Sequence, residues 1–321
     1  MKWMIFLSNN AFANGKSFMP PATTDIAGQV DNLYSFLLWT SFVACAILIG
    51  GMIFFVWKYR RRTANDKTAY ISHNTFLEFL WSFIPLVLFL AIFGWGWWIY
   101  HQMRAMPENA LEVHVFGRQW SWEFVYKSGK TAGGEFVVPV NTPVKLIMTS
   151  KDVLHSFYIP SMRIKQDVIP GTYTSLHFVA QKLGDFQIFC AEYCGTTHSG
   201  MLAKMKVVTM ADYEKWIQEN EQGMSLAERG QKYMTDKGCI ACHSVDGSPK
   251  VGPTWKGLFG MTRAFDDGTS APADENYIRE SILNPNARVV KGFNKGVMPT
   301  FQGQINEDQV NALIEFIKGL K

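Results

Sequence analysis

The sequence lacks the concentrated positive charge that nucleic-acid-binding proteins carry. Its 321 residues include 31 Lys and Arg against 27 Asp and Glu, which gives a formal net charge of +4. The basic residues cluster at 58–62, and elsewhere no run of Lys and Arg is long enough to form a basic surface. We therefore expect no nucleic-acid partner.

Charge is missing altogether from two stretches, Leu33–Trp57 and Phe79–Tyr100. Each is longer than the roughly 20 residues that cross the hydrocarbon core of a bilayer. This length disfavours the alternative of two buried helices in a soluble protein. The sequence therefore predicts a two-helix transmembrane hairpin within residues 33–107, in contact with membrane lipid.

The loop between the two predicted spans is basic. Its residues 58–67 include one acidic residue, Asp66, against five basic ones, Lys58, Arg60, Arg61, Arg62 and Lys67. The positive-inside rule places this loop in the cytoplasm and both termini outside. Residues 1–32 form a tail whose beginning resembles a signal peptide, with cleavage predicted after Ala13. We expect a bacterial cytoplasmic (inner) membrane protein with its soluble domains on the periplasmic side.

Cysteine is scarce, with five in the chain. Cys45 lies in an apolar run, where a thiol packs as a small hydrophobe. The other four form two pairs, Cys190 with Cys194 and Cys239 with Cys242. Outside the cytoplasm, such pairs are normally oxidised to disulfides unless a metal or a haem holds them.

The first outer domain, predicted over residues 108–210, has the pattern of an all-β fold. Apolar residues alternate in short runs from Leu111 onward, and Gly133-Gly134 and Pro170-Gly171 interrupt them. Strands at this spacing build a sandwich or a barrel, whose end loops can hold a rigid site.

Soft metal donors crowd the segment between residues 190 and 201. Cys190, Cys194, His198 and Met201 follow one another there, and His155 is the best upstream candidate for a further imidazole. Thiolate, thioether and imidazole favour copper, and two thiolates can bridge two copper ions. A disulfide or a structural zinc site would use the same Cys and His residues, but neither explains Met201.

This Cys-x-Glu-x-Cys-x3-His-x2-Met string, with Asp152-Val153-Leu154-His155-Ser156 upstream, resembles the CuA site of cytochrome c oxidase subunit II. The resemblance spans roughly residues 30–210 and implies a cupredoxin-like fold. It implies these ligands for a dinuclear copper centre: His155, Cys190, the backbone carbonyl of Glu192, Cys194, His198 and Met201. It further implies that the carboxylate of Glu192 binds a Mg2+ ion shared with subunit I.

Two further residues take roles from the same resemblance. Trp120, in Gly117-Arg118-Gln119-Trp120, matches the residue that receives electrons from an external donor, although alternating tryptophans on a strand are otherwise typical of packing. Glu78 matches a carboxylate at the cytoplasmic mouth of a proton pathway into subunit I. A carboxylate at a helix end also has an ordinary structural interpretation.

The second outer domain, predicted over residues 224–321, follows a polar linker at 211–223. Ser225 and Glu228 form a capping box that predicts a helix to about Lys237. Cys239-Ile240-Ala241-Cys242-His243 comes directly after it and has the c-type haem signature, in which two thiols bind the haem vinyl groups and the histidine binds the iron. A redox-active dithiol and half of a zinc site are the alternatives.

Met298 is the predicted sixth ligand of the haem iron, because Met298-Pro299 matches the Met-Pro pattern of small cytochromes c. Met234 and Met261 are the competing candidates. Helical spacing after the predicted N-cap Asn306 indicates a final helix that packs on the first one. Residues 224–321 therefore resemble an all-α class I cytochrome c fused to the copper domain.

The chain is thus expected to be a multidomain membrane protein, subunit II of a proton-pumping haem-copper oxidase. Electrons would pass from the haem through the copper centre to subunit I, where O2 is reduced, so this chain holds no catalytic residue itself. Expected partners are subunit I, subunit III and an upstream donor, either a cytochrome c or a quinol-oxidising complex. The alternatives are the small subunit of a CuA-containing nitric oxide reductase and a tethered electron carrier.

Overall fold

The computed structural model describes residues 19–67, 69–219 and 224–321. These residues form two compact units, one ending at Ala105 and the other beginning at Met106. The predicted signal peptide with its cleavage after Ala13 lies outside the described residues, as does the end of the predicted linker, residues 220–223.

The first unit contains two long helices, α1 (Asp25–Tyr59) and α2 (Thr75–Arg104). Both are long and apolar enough to cross a membrane. Both extend beyond the predicted apolar spans, because side chains of Thr24 and Asn74 cap their first turns. Charged residues are accepted in these extra turns, since helix ends that project from the hydrocarbon core can be solvated. α1 therefore begins inside the segment predicted as a tail.

The two helices contact each other near the outer end of the predicted hairpin. The side-chain amides of Gln29 and Gln102 exchange hydrogen bonds of 3.1 and 3.3 Å. Farther along, the Phe36 and Trp95 rings lie 5.7 Å apart. Many of the large apolar side chains of both helices are exposed, as expected for a surface that faces lipid.

The second unit begins with a β-sandwich, as the alternating pattern predicts. The strands are β1 (Leu111–Arg118), β2 (Ser121–Tyr126), β3 (Thr131–Gly133), β4 (Glu135–Pro139), β5 (Pro143–Ser150), β6 (His155–Ile159), β7 (Ile164–Val168), β8 (Thr174–Val179), β9 (Gly184–Cys190) and β10 (Leu202–Val208). They form two five-stranded sheets in the orders β3-β2-β1-β5-β8 and β4-β10-β9-β6-β7. The pairs β1/β5 and β4/β10 are parallel, and the other pairs are antiparallel.

Aromatic side chains fill the space between the two sheets. Trp122, Phe124, Phe136 and Phe157 are fully buried. Trp122 meets Phe157 edge-on at 5.2 Å, and Phe124 stacks on Phe136 at 4.8 Å. Trp120 lies in the turn between β1 and β2, and it therefore stands at the end of the sandwich. The core thereby holds one end of the sheets rigid enough to support a site.

A short helix, α3 (Met210–Gln218), follows the sandwich and occupies much of the predicted linker. The cytochrome-like domain then contains α4 (Leu226–Asp236), α5 (Glu275–Leu283) and α6 (Glu307–Lys318). It differs from the all-α prediction by a short hairpin of β11 (Thr262–Ala264) and β12 (Ser270–Pro272). Asp266-Asp267-Gly268 turns the chain between these strands, with Gly268 at a positive φ of 82°.

Both predicted caps are present in this domain. Ser225 and Glu228 form a capping box on α4, and Asn306 and Gln309 form one on α6. The two helices cross at Gly230, where a Cβ atom would lie 2.0 Å from the carbonyl oxygen of Ala312. The close approach explains why glycine stands inside a helix. The first and last helices therefore pack together, as predicted.

Candidate functional site

The predicted copper residues meet at one end of the sandwich. His155 begins β6, Cys190 ends β9, and the other residues lie on the loop between β9 and β10. The Sγ atoms of Cys190 and Cys194 lie 3.8 Å apart, with Nδ1 of His155 at 3.9 Å from the first and Nδ1 of His198 at 3.4 Å from the second. Both thiols are free. Two thiols flanked by two imidazoles can hold a pair of soft metal ions.

The remaining two predicted ligands complete this cluster. Sδ of Met201 lies 3.7 Å from Sγ of Cys194, and the carbonyl oxygen of Glu192 lies 3.2 Å from Sγ of Cys190. The carboxylate-bearing residue Glu192 is itself exposed. All six predicted residues are therefore brought together, and the donor set of thiol, thioether, imidazole and carbonyl fits copper.

The two thiols differ in acidity. The hydrogen bond between the two thiols lowers the pKa of Cys190 and raises the pKa of Cys194. A cation bound between them would favour the thiolate of both, since a metal displaces the remaining proton.

Asp152 orients His155. Its Oδ1 lies 2.8 Å from Nε2 of His155, whose side chain is fully buried. Burial raises the pKa of Asp152, but hydrogen bonds from His155 and from the backbone N–H groups of Gln119 and Val153 lower it overall. The carboxylate thus stays ionised and holds one imidazole nitrogen, which leaves Nδ1 free to face the thiols.

Gln119 and Trp120 lie against the same cluster. Nε2 of Gln119 donates to the carbonyl oxygen of Cys194 at 2.8 Å, and Nε1 of Trp120 donates to the same oxygen at 3.3 Å. Gly195 permits this contact, because a Cβ at this position would lie 2.9 Å from Nε2 of Gln119. The φ of Gly195 is 120°, which also favours glycine. Trp120 is therefore connected to a candidate ligand by one hydrogen bond.

The haem signature lines a cavity in the second domain. With its open mouth, the cavity measures about 1100 Å³. Cys239, Cys242, His243 and Met298 all contribute to its wall, which is largely apolar. Of the competing methionines, Met234 lies in the helical core and Met261 is exposed.

His243 is held in a single orientation. Its Nδ1 lies 2.7 Å from the carbonyl oxygen of Pro253, which can only accept, so Nδ1 carries the proton and Nε2 remains free. The ring stacks on Trp255 at 5.1 Å. Burial lowers the pKa of His243 and favours its neutral, metal-binding form. A Cβ at Gly252 would lie 2.7 Å from the imidazole, so this position also needs glycine.

These residues fit a covalently attached haem. The cavity offers two free thiols, a neutral imidazole with an unused nitrogen and a thioether, within an apolar wall. A c-type haem of the cytochrome c kind uses these groups: thiols for its vinyl groups, and histidine and methionine for its iron.

The two candidate sites are adjacent. Gln119 and Trp120 of the sandwich line the haem cavity as well as contacting Cys194. A second contact joins Oγ1 of Thr197, which precedes His198, to Sγ of Cys242 at 3.6 Å. The sandwich and the cytochrome-like domain therefore meet where each has its candidate cofactor site.

Glu78 lies near the start of α2, away from both clusters in sequence. Its Oε1 accepts a hydrogen bond of 3.1 Å from the backbone N–H of Asn74, the N-cap residue. The carboxylate therefore has a helix-capping role.

Sequence reasoning did not assign roles to Asp152, Gln119 or Thr197. Asp152 stands in the quoted motif three residues before His155, and a carboxylate close to a candidate metal-binding histidine is a usable signal. Gln119 and Thr197 contact residues that are distant in sequence. The residues around them in the sequence give no sign of these contacts.

Comparison with known proteins agrees with this architecture. Family models described as cytochrome c oxidase subunit II, transmembrane domain, as cytochrome c oxidase subunit II, periplasmic domain, and as cytochrome c match residues 13–95, 130–208 and 227–321. Cytochrome c oxidase subunit 2 of Alkalihalophilus pseudofirmus is 31% identical over 278 residues, 82% of this chain and 79% of that protein. The alternative cytochrome c oxidase subunit 2 of Bradyrhizobium diazoefficiens is 29% identical over 247 residues, 66% of this chain and 88% of that protein. The chain therefore belongs to the cytochrome c oxidase subunit II family and carries a fused C-terminal cytochrome c domain.

Proposed function

We propose that this chain carries electrons into a proton-pumping terminal oxidase. It would accept them at a c-type haem and pass them through a dinuclear copper centre to the haem of subunit I, where O2 is reduced to water. The observation that carries this proposal is the position of Trp120, which lines the haem cavity and donates a hydrogen bond to the carbonyl of Cys194.

In this proposal each cofactor has a defined set of ligands. Cys239 and Cys242 attach the haem, and His243 and Met298 bind its iron. The copper ligands are those predicted from the sequence: His155, Cys190, the carbonyl of Glu192, Cys194, His198 and Met201. Both groups supply one-electron chemistry when bound.

The protein's own residues would keep these groups close and rigid. Pro253 fixes the orientation of His243, and Asp152 fixes that of His155. Trp120 would act as an internal relay, because the fused domain lies beside it and its cavity includes this side chain. An external donor would then deliver electrons to the haem instead of to Trp120.

The remaining proposals concern the surroundings of the chain. We propose that it lies in a bacterial inner membrane, contacts lipid through α1 and α2, and assembles with subunits I and III. Glu192, an exposed residue, is proposed to bind Mg2+ through its carboxylate at the contact with subunit I. Glu78 is proposed at the mouth of a proton pathway. The donor would be a cytochrome c or a quinol-oxidising complex.

Metal analysis and spectroscopy of the purified full-length chain test the cofactor proposal. We expect two copper ions per haem and an EPR signal of one electron shared by two copper ions. One copper ion per haem, or zinc in place of copper, would refute the dinuclear site.

Co-purification tests the assembly. A complex that consumes oxygen supports the oxidase, whereas a chain isolated alone with full electron-transfer function supports a tethered carrier.

Replacing Trp120 with Phe should slow electron transfer from haem to copper while the spectra of both cofactors persist. An unchanged rate would remove the relay role of Trp120.

A further inference from the structure

The segment that follows Met298 is anchored by a residue of the β-sandwich. Arg118 ends β1, and its Nε donates to Oγ of Ser121 at 3.0 Å within the sandwich. Its Nη1 donates to Oε1 of Gln304 at 2.8 Å in the cytochrome domain. The side chain of Arg118 is only 8% exposed. One guanidinium therefore bridges the two domains through different N–H groups.

Gln304 extends this bridge to the chain beside Met298. Its Nε2 donates to the carbonyl oxygen of Thr300 at 2.8 Å. The orientation of the amide is determined chemically, because arginine can only donate and a carbonyl can only accept. Gln304 thus accepts from Arg118 and donates to Thr300, which stands two residues after Met298.

The cytochrome domain holds the same segment from its other side. The backbone N–H of Gly296 donates to Oδ1 of Asn286 at 2.8 Å, and the hydroxyl of Thr300 donates to the carbonyl of Leu283. Phe301 lines the haem cavity, and its ring centroid lies 5.9 Å from the guanidinium carbon of Arg118. The sandwich therefore contributes one of the restraints on a short segment that is otherwise held by its own domain.

We propose that Arg118, acting through Gln304, is a positioning residue for the sixth ligand of the haem iron. Contact between the two domains would restrain Met298 on the iron, so that the ligation of the haem depends on docking. This inference rests on the proposed function, specifically on a haem bound by His243 and Met298. Because histidine-methionine ligation raises the potential of a haem, a looser Met298 would lower it.

Ligand exchange at the ferric haem tests this inference. In the full-length chain, imidazole is added and the rate at which it replaces Met298 is followed by absorbance. Gln304→Leu removes both hydrogen bonds without changing charge. Because only the bond to Thr300 directly restrains the segment beside Met298, we expect the rate to rise about fivefold, as for the loss of that one hydrogen bond. The midpoint potential of the haem should fall in parallel.

Two further variants separate the bridge from simple contact between the domains. Gln304→Glu keeps an acceptor for Arg118 but loses the donor to Thr300, and we expect the same acceleration. Arg118→Lys keeps the charge, but a single ammonium group cannot bond both partners as the guanidinium fork does. It should therefore also raise the exchange rate and lower the midpoint potential. Gln302→Leu is the matched control, because Gln302 is, like Gln304, an exposed amide in the same segment, whereas the bonds to Arg118 and Thr300 are made by Gln304.

The outcomes distinguish this inference from the proposed function. Gln304 variants that match the wild type in rate and potential overturn the positioning role, and so does a Gln302→Leu variant that behaves like Gln304→Leu. A wild-type chain without haem, or with a haem that lacks methionine ligation, refutes the proposed ligands instead.

Discussion

At the scale of single residues, the candidate copper cluster is the part of the molecule most accessible to sequence reasoning. Five of its six residues fall between Cys190 and Met201, so one loop brings them together. His155 needed the Asp152–Ser156 motif, because it approaches from another strand. The orienting contacts of Asp152 and Gln119 could not be predicted, since they depend on how loops from separate strands meet.

Replacing Asp152 with Asn tests the orientation of His155. The ionised carboxylate holds Nε2 of the imidazole at 2.8 Å, and an amide would hold it less strongly. Loss of such an outer partner typically lowers metal affinity about 10- to 100-fold. Copper titration of the full-length chain, read by EPR, should show this decrease.

The control for Asp152 is Asp185→Asn, which removes an exposed carboxylate paired with Lys204 at 3.5 Å. This change should leave copper affinity as it was. Equal affinities for the Asp152 variant and the wild type would show that His155 needs no carboxylate to face the thiols.

At the scale of elements, capping and helical spacing were predictable, and helix ends in the membrane unit were not. The Ser225 and Asn306 caps define α4 and α6 because local hydrogen bonds decide where a helix begins. α1 begins at Asp25, eight residues before its apolar span. An apolar run in the sequence indicates which residues cross the hydrocarbon core, but it does not indicate how far the helix continues beyond that core. The hairpin of β11 and β12 was missed because each strand has only three residues.

The crossing of α4 and α6 gives a prediction for Gly230. In Gly230→Ala, the new Cβ would overlap the carbonyl of Ala312 at 2.0 Å, so the helices must separate. Overpacking of this kind typically costs about 1–3 kcal/mol, which should exceed the gain in helix propensity. Thermal unfolding of the cytochrome domain in the full-length chain, followed at the haem absorbance, should shift to lower temperature.

Gln231→Ala provides the comparison for Gly230, because it changes an exposed neighbour on the same helix. It should unfold close to the wild-type temperature. A Gly230→Ala variant as stable as the wild type would mean that the helices can move apart at little cost.

At the scale of the whole outer region, the important feature is the contact between the sandwich and the cytochrome domain. Sequence reasoning predicted both domains and a linker, but it could not predict their docking. The contacting residues, such as Arg118 and Gln304 or Gly133 and Asp236, are more than a hundred positions apart. No periodicity or motif reports such a pairing.

Glu123 gives this contact a pH dependence. Its carboxylate binds Lys151 of the sandwich at 2.5 Å and lies 3.8 Å from Lys237 of the cytochrome domain. Burial raises the pKa of Glu123, but the hydrogen bond from Lys151 and the nearby positive charges lower it below 4.5 overall. Because the folded-state pKa is lowered, its stabilisation is present above pH 4.5 and is lost as the pH falls through the folded-state pKa.

Glu123→Gln should therefore lower stability at pH 7, by about 1 kcal/mol after solvent screening, and should have less effect near pH 3. Thermal unfolding of the full-length chain at several pH values measures the difference. Glu112→Gln is the control, because Glu112 makes a similar bond to Lys145 but is more exposed. A constant difference between Glu123→Gln and the wild type at all pH values would contradict this role.

Gly133 tests whether docking itself matters for electron transfer. Its backbone N–H donates to Oδ1 of Asp236 at 3.0 Å, and a Cβ would lie 2.0 Å from the carbonyl oxygen of Asp236. In Gly133→Ala the domains must separate at this point, and an overpacking cost of about 1–3 kcal/mol would lower the ratio of docked to undocked molecules by about tenfold for each 1.4 kcal/mol.

Haem and copper spectra should persist in Gly133→Ala, since neither cluster includes this residue, while transfer between them slows in flash photolysis of the full-length chain. Thr131→Ala, an exposed position on the same strand, should transfer electrons at the wild-type rate. The tether alone keeps the domains at high effective concentration. A Gly133→Ala variant with unchanged transfer would therefore mean that tethering suffices, and that the contacts around Trp120 are not needed to set the rate.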